Sequence, residues 1–446
     1  MLEPLKNMSY RHLFAAQVIA LLGTGLTTVA LALLAYDLAG DEAGTVLGTA
    51  LALKMVAYVT IAPIVGGLAT ALPRKRVLVA LDLCRAGFVL CLPFVNEIWQ
   101  IYMIIFLMQS CSAGFTPMFQ ATIPDIISDE KTYTKALSLS RLTYDLESLV
   151  SPALAAVALI FMSFNVLFAF NSVAFFISSI LVVTAILPKK EKKQNAKIIS
   201  VWKKVSFGIR AYLATPRLRG LLALSLASAS AGAMVIVNTV VIVRDGFGLE
   251  AQDVALALAA YGGGSMLAAL TLLKLLERLP DRPVMLAGAA FLAIGLLAGS
   301  AVSVFFWLLP VWFLLGCSAS LINTPTGRLL RRSSAKEDRP AYFAAQFSLS
   351  HACWLITYPL AGWFGASIGI TGTFYVLAGI VALGFILAMF VWPSKNQAAL
   401  NHTHKDLSPD HLHLADANAV KGGYQHKHDY VIDHHHTSWP SMRETK

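Results

Sequence analysis

Histidine is the residue with the most pointed distribution in this chain. Nine of its eleven histidines, His402, His404, His411, His413, His426, His428, His434, His435 and His436, fall in the last 54 residues. They form three His-x-His pairs and one triplet over 35 residues, with Asp406, Asp410, Asp429 and Asp433 interleaved. Neutral imidazole is the commonest metal ligand and suits nickel, cobalt, copper and zinc. In an extended chain, residues two apart point the same way, so each pair can offer two nitrogens to one ion. The plainer reading is a soluble or pH-responsive tail. A cloning tag would be an uninterrupted run, and this pattern is spaced.

Other candidates are charges within apolar stretches, which are costly in lipid and point to function. Arg141 and Asp145 are four apart and can pair on one helix face, as a structural pair or as part of a transport path. Glu147 lies roughly 200° around the helix from Asp145, facing a neighbouring helix or a cavity. Asp82 and Arg85 repeat the theme three apart, and read as a lock on an inner gate. Lys54 sits about ten residues inside its stretch. It either snorkels outward, toward Asp37, or lines a cavity as a coupling or anion-attracting charge. His351 is either a packing residue or a handler of metal or protons. Asn238 and Asn323 read as interhelical hydrogen-bonders, and Asn323 is kept as a cavity candidate.

What positions these groups is a set of membrane helices. The chain is 57% apolar and 13% charged, with a mean hydropathy of +0.66, whereas soluble domains run at about 25% charged. No charge lies between Arg282 and Arg328 or between Arg339 and Lys395. Each gap holds two helices that cross a hydrocarbon core of about 30 Å. Spans are expected at 13–36, 45–71, 77–95, 98–124, 142–162, 164–187, 219–243, 252–276, 283–303, 304–327, 342–366 and 370–392. No cleavable signal is expected, because the run from Leu13 is itself long enough to span. The five cysteines lie in apolar stretches, which argues against a disulfide framework.

Between the two groups of six, Lys189 to Arg219 carries ten Lys/Arg against one acid, Glu191. That reads as a cytoplasmic linker; a nucleic-acid patch is the weaker reading because its flanks cannot be soluble. Loop charge places Arg74, Lys75, Arg76, the linker, Arg278, Arg282 and Arg328 to Arg339 inside. Both termini are therefore expected in the cytoplasm. The resulting units are an N-terminal six-helix bundle (1–187), a basic linker (188–218), a C-terminal six-helix bundle (219–392) and a His-rich tail (393–446). The tail lacks any apolar run long enough to pack, and is expected to be disordered in isolation.

The halves repeat. Leu72-Pro73 recurs as Leu279-Pro280, Cys111-Ser112-Ala113 as Cys317-Ser318-Ala319, and Pro152 as Pro359, at shifts of 207, 206 and 207. Two such halves joined by a basic linker resemble the major facilitator superfamily. The resemblance implies an all-α membrane fold whose parallel halves rock around a midplane cavity. Gly66 to Arg76 resembles the family's loop motif between spans 2 and 3. Thr70 replaces its aspartate, while Glu277 holds the equivalent place in the second half, so an ion-pair gate with Arg74 is in doubt for the first half. Gln17 to Gly25, Ala136-Leu137-Ser138 and Ser151-Pro152 resemble the twelve-span, proton-coupled efflux branch. The tail resembles those of nickel-resistance exporters in this superfamily.

These features lead to an expected proton-coupled exporter of divalent transition-metal cations, nickel or cobalt first, in a bacterial-type inner membrane. Asp145, Glu147 and His351 would exchange protons for metal, and the metal is cargo rather than cofactor. One alternative cargo is a hydrophobic drug, siderophore or metal chelate, favoured by Lys54 and the aromatics. Another is a membrane metal sensor that does not transport. There is no P-loop, nucleophile elbow or zinc-protease helix, so an enzyme has little support. Gly262-Gly263-Gly264 reads as a place for close helix packing.

Overall fold

The computed structural model describes residues 3–68, 73–127, 129–187, 198–275, 279–335, 338–394, 399–404, 418–420, 423–432, 436 and 439. Helices α1 (Met8–Ala39), α2 (Ala43–Leu68), α3 (Arg74–Cys91), α4 (Ile98–Ile126), α5 (Glu130–Phe161) and α6 (Phe164–Thr184) build the first half. Helix α7 (Ile198–Ala214) leads into α8 (Pro216–Val241), α9 (Ala251–Leu275), α10 (Asp281–Gly299), α11 (Phe305–Asn323), the short α12 (Thr326–Arg332) and α13 (Arg339–Val391). The last contains both final spans, broken at Gly369, whose φ of 77° and ψ of 167° suit only glycine. Twelve membrane helices in two sixes result. Among the described residues, nine stretches are long and apolar enough to cross a bilayer, two of which, Met8–Ala62 and Ala341–Val391, each run through two helices.

The internal repeat is physical. Pro73 and Pro280 precede α3 and α10 at their N-termini, where a missing N–H does no harm. Pro152 and Pro359 lie inside α5 and α13. Lys75 Nζ donates to the Ala185 carbonyl at 3.0 Å, capping the end of α6, and Arg282 Nε donates to the Trp392 carbonyl at 2.9 Å, capping the end of α13. Both partners are shifted by 207, and each cation satisfies a carbonyl that the helix end leaves open. Gly264 and Gly316 let α9 and α11 touch backbone to backbone, since a Cβ on either would collide with a carbonyl of the other helix.

Two segments outside the spans also carry structure. Most of the basic linker is helical: Gly208 of α7 lies against the Ala341 backbone, Tyr212 Oη donates to Gln346 Oε1 at 2.5 Å, and α8 starts three residues early. The tail is also structured in part. Strands β1 (Ala399–His404), β2 (Asn418–Val420) and β3 (Gly423–Asp429) form an antiparallel sheet in the order β1-β3-β2. Tyr430 and Ile432 are buried with the C-terminal core, and Tyr342 Oη donates to the Ile432 carbonyl at 2.8 Å. A long apolar run is unnecessary here, because a few side chains dock onto a surface that the helices have already built.

Asp82 and Arg85 pair within the first half and do not form a gate between halves. Asp82 is fully buried and accepts from Arg85 and, at 2.8 Å, from Ser178 Oγ of α6. The Arg85 guanidinium lies between the rings of Phe115 and Phe175, 4.3 Å from each centroid. The pair therefore ties α3, α4 and α6 together. Asp82→Ala strands a buried cation, for a loss of about 3–5 kcal/mol. Thermal unfolding in detergent is expected to show a large drop for Asp82→Ala, most of it recovered in the apolar double variant Asp82→Leu, Arg85→Met. Equal losses in both would dismiss the pair as the cause.

Candidate cargo site and gates

The halves meet along two seams, α2 with α13 and α5 with α9. On the face that carries the short α1–α2 connection, the first seam is closed by backbone contact. A Cβ on Gly362 would collide with the Gly44 carbonyl, and one on Gly48 would come within 2.5 Å of the Tyr358 carbonyl. Thr45 Oγ1 donates to the Gly362 carbonyl at 3.1 Å, and Asn238 Nδ2 of α8 donates to the Ala361 carbonyl at 3.0 Å. Arg244 adds a charge over the Tyr36 ring, 5.3 Å from its centroid, and pairs with Glu250 at 3.2 Å. This end is sealed. The Gly44-x-x-x-Gly48 spacing was the available sequence clue, since small residues four apart let helices approach.

Deeper along the same seam lies an aromatic group. His351 of α13 stacks on Tyr58 of α2 with centroids 5.7 Å apart and planes 18° apart. Phe347, one turn earlier, lies 3.9 Å from the His351 ring and 6.1 Å from Tyr58. His351 Nδ1 donates to the Phe347 carbonyl at 2.7 Å, which makes Nε2 the acceptor nitrogen of the ring. Half-buried Lys54 is one helical turn from Tyr58 on α2. Counting 1.5 Å per residue, Lys54 lies about 16 Å from one end of α2 and His351 about 18 Å from the opposite-facing end of α13, both near mid-membrane. Trp354 and Tyr358 extend the face, 4.9 Å apart. Sequence reasoning found Lys54 and His351 separately and missed Tyr58 and Phe347, whose composition is ordinary for a membrane helix.

The second seam runs along α5, whose backbone carries Arg141, Asp145 and Glu147; those side chains lie outside the described residues. Asn323, exposed at the end of α11, donates to Ser228 Oγ of α8 at 3.2 Å, a bond within the C-terminal half. Ser151 Oγ donates to the Leu22 carbonyl at 3.3 Å and Tyr10 Oη to the Ala136 carbonyl at 2.9 Å. The motif pieces Gln17–Gly25, Ala136 and Ser151 thus share the contact between α1 and α5.

On the face bearing the linker helix, Asp281 is 3% exposed and accepts from Arg328 Nε at 2.8 Å and Nη2 at 2.5 Å, with Arg332 at 3.4 Å. Among the described residues Asp281 latches this loop; Glu277 lies outside the described residues. Asp281 opens α10, where the helix dipole favours a carboxylate. Its counterpart position is Arg74, half-buried at the start of α3.

The comparisons agree with this architecture. The Major Facilitator Superfamily profile matches residues 13–249 and again 222–419. This chain belongs to that superfamily. Macrolide efflux protein A of Streptococcus pyogenes is 26% identical over 188 residues, 41% of this chain and 46% of that protein. An uncharacterized MFS-type transporter of Bacillus subtilis, YfiS, is 27% identical over 186 residues, 41% of this chain and 43% of its own. The match thus spans about half the length of these curated relatives. A solved nucleoside transporter superposes with a TM-score of 0.69 at 12% identity, covering 86% of this chain and all of that one. An inward-facing bacterial homologue of the human lysosomal transporter Spinster gives 0.70 at 11% identity, covering 86% and 97%. At such identities these two establish the superfamily fold alone.

Of the tail histidines, His411, His413, His434 and His435 lie outside the described residues, as do the side chains of His402, His404, His426 and His428. The strand register sets position 402 opposite 426, 400 opposite 428 and 404 opposite 424. His436 is buried, at 2% exposure.

Gly362→Val adds bulk only where the seam is closed. At about 1–3 kcal/mol of overpacking, the sealed conformation should lose roughly tenfold or more in population. Bifunctional cross-linking between Tyr36→Cys and Arg244→Cys, whose native side chains meet across this end, reads this as reduced yield; an undiminished yield would show that the glycine contact does not close the seam.

Proposed function

We propose that the chain is a proton-coupled secondary transporter, in a bacterial plasma membrane with the linker face in the cytoplasm, that exports an organic aromatic or amphiphilic solute, metal chelates included. The observation that carries this reading is the Tyr58, Phe347 and His351 group with Lys54 one turn away, at mid-membrane depth between the halves. Flat rings bind flat apolar cargo by stacking, worth about 0.5–1.5 kcal/mol per contact, and an amine favours an anionic substituent. The macrolide efflux relatives support an organic cargo. The acids of α5 supply the protonatable groups of the cycle, being neutralised by protons on one stroke and by cargo or Lys54 on the other.

Export of free nickel or cobalt is the second reading, favoured by the nine tail histidines. In that reading Asp145, Glu147 and His351 bind the ion as protons leave. His351 brings one nitrogen to it, the other being held by the Phe347 carbonyl.

Inverted vesicles with an imposed pH gradient separate the two when offered a lipophilic dye, nickel, cobalt and zinc. Gradient-driven dye movement is expected, reduced about tenfold by Tyr58→Ala or His351→Ala. Asp145→Asn or Glu147→Gln is expected to uncouple flux from the gradient. Movement of nickel or cobalt with none of dye would replace this reading with the second.

A further inference from the structure

Two cysteines of the first half meet across the contact between α3 and α4, outside the cargo site and both seams. Residues on either side set the register of that contact. Leu81 Cδ1 lies 3.5 Å from where a Cβ on Gly114 would stand, and the Arg85 guanidinium stacks on Phe115. The two helices run in opposite directions. Cys84, three residues after Leu81, is therefore level with Cys111, three residues before Gly114. Residues three and four apart share a helix face, so Leu81, Cys84 and Arg85 look toward α4 while Cys111, Gly114 and Phe115 look toward α3. The Cys84 and Cys111 side chains accordingly come within hydrogen-bonding reach of each other. Both are free thiols.

The pair opens to lipid. Cys84 is exposed and Cys111 half-buried behind it. Leu83 and Leu90, also exposed on α3, mark this side as one turned to hydrocarbon. One turn beyond Cys84, Gly87 leaves a notch, since a Cβ there would meet nothing within 4 Å. Counting 1.5 Å per residue from Arg74, Cys84 lies about 15 Å along α3, near mid-membrane. Charge is costly at that depth, so a neutral species has the easiest approach.

The donor set then narrows the ligand. Among the described residues, no group of three or more His, Cys, Asp or Glu is placed to hold a metal ion. Asp82, on the same helix, is already engaged by Arg85 and Ser178. Zinc and nickel, which want four or more ligands, are poorly served. A soft ion that is satisfied by two thiolates is well served. Charge decides its valence: a dication that replaces two thiol protons leaves a neutral complex, whereas a monovalent ion would leave a net negative charge in the bilayer.

We propose that Cys84 and Cys111 form a lipid-accessible dithiol site for a two-coordinate thiophilic dication, mercury(II), arriving as its neutral chloride. The exchange balances: mercuric chloride and two thiols give the mercury bis-thiolate and two HCl, with no change of oxidation state. Each S–H bond is replaced by S–Hg, and each Hg–Cl bond is broken. The bridge staples α3 to α4 within one bundle and is independent of what cargo is carried.

The full chain in nanodiscs, reduced and then freed of reductant, tests this with mercuric chloride. At one equivalent, Cys84 and Cys111 are expected to lose reactivity toward a lipid-soluble maleimide together, read peptide by peptide by mass spectrometry. Exposed Cys91, about 10 Å further along α3, should keep its reactivity. Cys84→Ser and Cys111→Ser are each expected to weaken binding about a hundredfold, because each thiol raises the effective concentration of the other. Cys91→Ser is expected to leave binding unchanged. Mercury should raise the unfolding temperature of the parent and of neither single variant of the pair. The parent's labelling pattern needs no variant, so a variant that misfolds does not shelter the proposal. Equal affinity in Cys111→Ser would reduce the site to one thiol, and protection of Cys91 ahead of Cys111 would place binding elsewhere; either result overturns it.

Discussion

The close approach of α2 and α13 is the contact on which the rest of the structure depends. Each bundle is complete in itself, with its own buried polar ties and its own apolar surface turned to lipid. Lipid tails are as apolar as leucine, so no hydrophobic force presses one bundle on the other; tight packing and hydrogen bonds must do so. Gly44, Gly48 and Gly362 allow main chain to meet main chain, Thr45 then bonds across the gap, and Asn238 braces the Ala361 carbonyl from within the C-terminal half. Such a contact is made or unmade as a unit. A seam built this way suits two bodies that rock, because little strain spreads into either bundle when it parts.

The same seam arranges the site. Sealing one end sets the register of α2 against α13, and that register brings Tyr58 beside His351 several turns further in. A side chain that looked isolated in the sequence becomes one of three rings packed together. His351 spends one nitrogen on its own helix, which fixes the tautomer and the ring orientation. It has become part of a recognition face for flat molecules.

Much of this was legible beforehand. Hydropathy and charge alternation gave twelve spans, most within a few residues, because lipid forces every backbone group into a helix and leaves little choice of fold; α5 begins twelve residues before its expected span, its first turns being too polar to read as membrane. The 207-residue shift pointed to the twofold repeat before Lys75 and Arg282 showed it in hydrogen bonds. Partners across the seam were not legible, since pairing Lys54 with the correct helix needs a rotation and a depth that composition does not carry. The structure of the tail was hidden for another reason. Tyr430, Ile432 and Trp439 are too few to form a core, and gain burial only against Tyr342 and Arg217, more than eighty residues away in the chain. Asp281 was overlooked because a loop acid beside basic neighbours looks merely solvated, yet it is enclosed by two arginines.

The paired caps Lys75 to Ala185 and Arg282 to Trp392 join the third helix of each half to the end of its sixth. Each half is thereby closed on itself like a barrel hoop, its last stave fastened to an early one. A half closed this way is a transferable part. A chimera that borrowed one half from a relative would have to match its neighbour along two lines of contact only, leaving the interior of both bundles untouched. Evolution can then retune cargo recognition at the meeting surface while the hooped bodies stay as they are.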